Sequence, residues 1–172
     1  GWYSGFESED IPEASIAIIP ITGIITKYSV WWLDSVGTVT ITNWVKQAAA
    51  NSKIKKILFV IDSPGGLVYG TRTLCQTIRN CGKETMAYVN DGMAGSCGYW
   101  IASSCNTVWV SQPTDLTGSI GTMVTITDAS GYFEDLKIKI HEIYADQSSE
   151  KNQETREAKK GNYTPIKGKL LN

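Results

Sequence analysis

Ser96 stands in the stretch AGSCGYW, residues 94–100, with glycines at 95 and 98. The residues before it, TMAYVN (85–90), form an apolar run of strand type, and SCGYWIASSC (96–105) has helical composition. A serine at such a strand-to-helix junction has the first-turn N–H groups and the helix dipole aimed at whatever its Oγ attacks. The same position suits an ordinary helix N-cap, so two readings stand side by side. A second stretch, IDSPGG (61–66), ends another apolar run. Paired glycines there let backbone N–H groups approach a ligand with no Cβ in the way, although a plain proline-glycine turn has the same composition. Ala94 breaks the G-x-S-x-G pattern, which disfavours an α/β-hydrolase elbow.

These residues need elements to position them. The chain has 172 residues, 42% of them apolar, and a formal net charge of -1. That suits a single domain over 15–172 with a substantial core, preceded by a polar lead-in at 1–14. Apolar runs at 15–25, 56–62, 85–90, 107–111, 118–126 and 138–145 read as strands. Helical stretches at 40–52, 68–80, 96–105, 129–136 and 149–160 alternate with them. Strands that are apolar throughout, alternating with helices, predict an α/β fold with a mainly parallel sheet covered on both faces. The start without methionine and the end at KGKLLN read as an excised piece of a longer protein. Trp31 and Trp32 fall between a strand and a helix, where ordinary packing is the first expectation and a groove or oligomer contact the second.

Several function classes drop out. No basic stripe marks a nucleic-acid face, because Lys53, Lys55, Lys56 and the tail lysines read as solvated surface. The longest apolar runs fall short of the roughly 20 residues of a membrane helix, so no span is expected within this segment. Cys75, Cys81, Cys97 and Cys105 follow neither a zinc spacing nor a disulfide framework, and there is one histidine. The expectation is no metal, no cofactor, and cysteines acting as small apolar residues.

IDSPGG, then MAGSCGYWIAS (93–103), then TDLTGSIGTM (114–123), in that order and spacing, resemble signal peptide peptidase A and the related phage capsid-assembly proteases. The resemblance covers roughly residues 16–160 and rests on three ordered motifs. It implies a Clp-protease/crotonase-like fold and a serine peptidase with a Ser-Lys dyad. Ser96 then maps to the nucleophile, Gly66 and Cys97 to the oxyanion-hole N–H donors, and Ser119 to a hydroxyl that orients the base. Cys97 stands where the family usually has glycine.

The base itself can be argued physically. His141, inside IKIHEIYA, reads as a strand residue and not as a triad member. An ordinary lysine, with a pKa of about 10.4, is neutral in about one molecule per thousand at pH ~7.5, a handicap of about 4 kcal/mol for a general base. Its pKa must be lowered by burial or an unfavourable field. Lys159 and Lys160 close a helix, where the dipole favours the ammonium, and Lys137 and Lys139 flank a strand start. Lys151 falls at the start of the last helix, where the dipole opposes the charge, and it is also the positional match to the resembled base. The glycine-lysine-rich stretch common in the family is ADQSSEK here, so a neighbouring lysine remains the alternative.

The resemblance therefore implies a serine endopeptidase acting on peptide or protein substrates, as a homo-oligomer. Its settings would be signal-peptide clearance or capsid maturation, with the cytoplasm or a phage prohead favoured and any membrane association left to other regions. A non-catalytic scaffolding module on the same fold is the alternative. A crotonase-type acyl-CoA enzyme lacks a carboxylate near AGSCG, and a Cys97–His141 nucleophile pair is the remaining rival.

Overall fold

A computed structural model of the chain describes residues 11–33, 35–148 and 150–170; most of the polar lead-in lies outside them. Two compact units divide the chain, one up to Ile120 and one from Gly121.

The first unit is a parallel sheet with helices on one face. Its elements are β1 (Ser15–Thr26), β2 (Ser35–Gly37), α1 (Thr38–Ala50), β3 (Ile54–Gly66), α2 (Thr71–Arg79), β4 (Glu84–Gly95), α3 (Cys97–Ala102), β5 (Thr107–Val110) and β6 (Leu116–Gly118). The strand order is β2-β1-β3-β4-β5, and β6 pairs the far end of β4. All of these pairings are parallel, which requires the crossover connections that α1, α2 and α3 supply.

Alternation along the strands selects the buried face. Ile19, Phe59 and Ala87 lie in register across β1, β3 and β4, as do Ile21, Ile61 and Val89. All six are buried, together with Ile41, Val45 and Ala48 of α1, Leu74 and Ile78 of α2, and Ile101 of α3. The opposite face carries Ile16 and Ile18, both exposed, beside half-buried Leu58, Val60, Met86 and Tyr88. The expectation of a sheet covered on both faces is thus corrected for this unit: α1, α2 and α3 bury the same set of strand positions. Trp31 and Trp32 also depart from the packing expected of them, being 87% and 68% exposed, with their rings edge-on at 5.6 Å.

Both motif strands run further than the sequence predicts. β3 continues through SPGG instead of turning, with Ile24 opposite Gly65 and Ile25 opposite Gly66. The ladder slips between Thr22 and Ile24, where Gly23 has a φ of 70°. This bulge, with Ser63 and Pro64 of β3 opposite the single Gly23 of β1, lets the glycine-proline segment stay paired.

The second unit holds α4 (Ser130–Asp135), a 3-10 turn (Asp146–Ser148), α5 (Gln153–Lys159) and α6 (Thr164–Leu170). α5 packs on α6, with Ala158 and Ile166 buried and a 2.8 Å ion pair between Glu154 and Lys169. The Arg156 guanidinium lies 4.6 Å from the centre of the Tyr144 ring. Residues 119–126 and 138–145, expected as strands, are not strands. Ile138, Ile140 and Ile143 keep the apolar pattern yet are exposed, and no neighbouring strand among the described residues of this unit receives their N–H and C=O groups. The helix expected over 149–160 begins at Gln153, because Asn152 sits in the left-handed region at φ 57° and an α-helix cannot extend back through it.

Candidate active site

Ser96 joins β4 to α3 with φ 50° and ψ -115°, a conformation that side-chain-bearing residues seldom adopt. Three constraints fix it there, two of them hydrogen bonds. Its N–H donates to the Gly118 carbonyl at 2.8 Å, and its own carbonyl accepts the Trp100 N–H at 2.9 Å. The third constraint is steric and comes from Gly65. A Cβ at Gly65 would lie 2.7 Å from Ser96 Cβ, 2.8 Å from the Gly95 carbonyl oxygen and 3.1 Å from the Cys97 nitrogen, and Gly65 itself has a φ of 104°. Ser96 occupies the N-cap position of α3, but its hydroxyl makes no capping bond. The N-cap reading of this serine therefore fails, and Oγ, on a half-buried residue, is not committed to the helix.

The two motifs meet through their glycines. Beyond Gly65, a Cβ at Gly95 would sit 2.9 Å from the Pro64 carbonyl oxygen, and one at Gly98 3.2 Å from that of Ser63. Ser63, fully buried, anchors the approach: its Oγ donates to the Gly23 carbonyl at 2.6 Å and accepts the Gly65 N–H at 3.1 Å. Sequence reasoning missed Ser63, Gly65 and Gly95 as separate contributors, although all three lie inside the motifs it singled out.

Gly66 faces β1, where a Cβ would meet the Ile25 carbonyl oxygen at 2.0 Å. The amides on either side of it are engaged, Gly65 by Ser63 Oγ and Leu67 by the Ile25 carbonyl at 2.8 Å. Cys97 is buried, and its thiol donates to the Gly66 and Leu67 carbonyls at 3.5 and 3.6 Å. A thiol held this way is poorly placed as a nucleophile, which argues against the Cys97–His141 pair. Ser119, exposed and at φ 54°, follows the Gly118 that receives the Ser96 amide. Ser96, Gly66, Cys97 and Ser119 are thus gathered at one end of β3, β4 and β6. Lys151 belongs to the second unit, exposed, one residue before the Asn152 cap of α5, with its N–H donating to the Ser148 carbonyl at 3.0 Å. It precedes the helix instead of lying in its first turn, so the dipole argument made for it loses force.

The other cysteines are free thiols. Burial is the main force raising Cys75, and it pushes Cys105 up to about 12, so both stay protonated packing residues near neutrality.

The profile described as Peptidase family S49 matches residues 78–162, a stretch that includes Ser96, Cys97, Ser119 and Lys151. The likeness to peptidase family S49 spans just under half of the chain. Among curated relatives it is 36% identical over 90 residues to Protease 4 of Salmonella typhi, spanning 51% of this chain and 14% of the relative. It is 30% identical over 135 residues to Capsid assembly protease C of Escherichia phage lambda, spanning 76% of this chain and 30% of that protein. The chain therefore covers less than a third of either relative. The fold is also that of a solved 1510-N membrane-bound stomatin-specific protease, a serine-to-alanine mutant, with a TM-score of 0.56 at 18% identity over 67% of this chain and 52% of that one. Among the described residues no helix is long and apolar enough to cross a membrane.

Proposed function

We propose that the chain forms the nucleophile-bearing part of a serine endopeptidase. The observation that carries this reading is Ser96, held in a strained junction with an uncapped hydroxyl inside the region matching a peptidase family. In the proposed reaction Ser96 Oγ attacks the peptide carbonyl carbon as its proton passes to a neutral lysine amine, Lys151 or a neighbour. The Cys97 and Gly66 N–H groups hold the resulting oxyanion, each such donor being worth about 3 kcal/mol in the transition state. The ammonium then protonates the leaving amine, giving the acyl-enzyme. Lysine next takes a proton from water as the water oxygen attacks the ester carbonyl, and the ammonium returns that proton to Ser96 Oγ as the acyl–oxygen bond breaks and the acid leaves. Ser119 orients the lysine.

The substrates are peptides or proteins, and the assembly is a homo-oligomer. Of the two settings, signal-peptide clearance and capsid maturation, the name of the phage lambda relative, a capsid assembly protease, favours the second, which would place the protein in a prohead. Casein or a quenched peptide library is the test: Ser96→Ala should abolish hydrolysis while leaving the far-UV circular dichroism and oligomer size unchanged. One observation favours a second reading, a scaffolding module: the sheet face bearing Ile16 and Ile18 is uncovered, as an assembly surface would be. If wild type and Ser96→Ala prove equally inactive yet assemble alike, the scaffold reading takes over.

A further inference from the structure

Strand β4 does not run straight to Ser96. Its pairing with β3 passes from Ile61 opposite Val89 to Ser63 opposite Ala94, so that residues 90–93 form a detour with Asp91 at φ 49°. From the last residue of the detour onward, β4 gains a new neighbour, β6, with Met93 opposite Leu116 and Gly95 opposite Gly118. That pairing is what brings the Gly118 carbonyl to the Ser96 N–H. β6 has three residues, and a strand that short has little pairing of its own to keep it in place.

The detour is held by carboxylates from two sides. Asp62 of β3 accepts the Met93 N–H at 3.1 Å through Oδ1, and a Cβ at Gly92 would collide with the same oxygen at 2.3 Å. Asp115, immediately before β6, does more. Its Oδ1 accepts the Gly92 N–H at 3.0 Å, while Oδ2 accepts the Ser111 N–H at 2.7 Å, the Ser111 hydroxyl at 2.8 Å and the Gln112 N–H at 3.0 Å. Ser111 Oγ in turn accepts the Asp91 N–H at 2.9 Å. One side chain therefore ties the detour of β4 to the loop 111–115 that delivers β6. Partial desolvation pushes its carboxyl up, and the bonds from Gln112, Ser111 and Gly92 outweigh this and hold it below the ordinary carboxylate range.

We propose that Asp115 is a positioning residue for Ser96: by clasping residues 90–93 of β4 to the loop 111–115, it seats β6 so that the Gly118 carbonyl holds the Ser96 amide and with it the strained nucleophile junction. Asp115 acts through Gly118 and touches no reacting atom. The effect on chemistry rests on the reading of Ser96 as a nucleophile; the effect on the Ser96 amide does not.

Asp115→Asn keeps the size of the side chain but puts an NH2 group among four donors. Two readouts separate positioning from general stability. In the wild type the Ser96 amide should exchange slowly with deuterium, and in Asp115→Asn it should exchange at least about tenfold faster while core amides of β3 keep their protection. The rate of Ser96 modification by a fluorophosphonate should fall by about ten- to hundredfold, since a misplacement of about 1 Å costs roughly that much. A folded Asp115→Asn protein with wild-type exchange at Ser96 and wild-type labelling overturns the proposal. If that variant does not fold, Ser111→Ala removes two bonds of the clasp, the hydroxyl's donation to Asp115 and its acceptance of the Asp91 N–H, and should move both readouts in the same direction by a smaller factor; no movement overturns it equally. If wild type is never labelled, the peptidase reading has failed, and the exchange of the Ser96 amide still decides the role of Asp115.

Discussion

Gly65→Ala is the sharpest test of how the two motifs fit together. The glycine sits at φ 104°, where a side chain adds strain of about 1–3 kcal/mol. Its new methyl would press on Ser96 Cβ at 2.7 Å and the Gly95 carbonyl oxygen at 2.8 Å, in a site where neither strand can withdraw without breaking its ladder. Overpacking of this kind costs about 1–3 kcal/mol more, for a total destabilisation of about 2–6 kcal/mol. Gly82→Ala is the internal control. Gly82 also has positive φ, 71°, but nothing lies within 4 Å of its would-be Cβ, so only the backbone term of about 1–2 kcal/mol applies. Urea denaturation of both variants isolates the clash as the difference between them, and a fluorophosphonate labelling rate reports whether Ser96 has been displaced. Equal destabilisation by the two substitutions, with Ser96 reacting as in wild type, would refute the glycine-to-serine contact as described.

Ser63→Ala removes a buried hydroxyl that serves both Gly23 and Gly65, and should cost about 1–3 kcal/mol by chemical denaturation, as expected when buried backbone groups lose their partner. Cys105 should resist iodoacetamide at pH ~8 in the native protein and react readily in urea, because its thiol is raised from 9.0 to about 12. The sign of the linkage follows: the unfolded thiol ionises first, so the stability Cys105 contributes is complete below pH 9.0 and is lost as pH rises towards about 12. A Cys105→Ala variant should flatten that alkaline slope in denaturation midpoints.

Much of this architecture was legible from residue order. Apolar strands alternating with helices forecast the parallel sheet, and the glycines around Ser96 forecast an open strand-to-helix junction. Their partners were less visible. Ser63 binds Gly23 and Asp115 binds Gly92, contacts between residues far apart in the chain that no local pattern encodes. SPGG reads as a turn because proline and glycine are turn formers, yet a bulge at Ser63 and Pro64, opposite Gly23, keeps it in the sheet. IKIHEIYA has the isoleucine-rich composition of a strand, but a strand exists only with a neighbour, and the second unit supplies none among its described residues. The dipole argument for Lys151 rests on a helix from 149, and the left-handed Asn152 moves the helix start past it, which leaves the positional match as its support.

The most direct measurement of the central claim is intact-mass spectrometry after incubation with a fluorophosphonate, on wild type, Ser96→Ala and Lys151→Ala. The account predicts one adduct on the wild type, mapped to Ser96, that is absent from Ser96→Ala and formed at least about a hundredfold more slowly in Lys151→Ala. Undiminished labelling of Lys151→Ala would move the base to a neighbouring lysine. A folded, assembled wild type that takes no adduct, or takes one that survives Ser96→Ala, would contradict the assignment of Ser96 as the nucleophile.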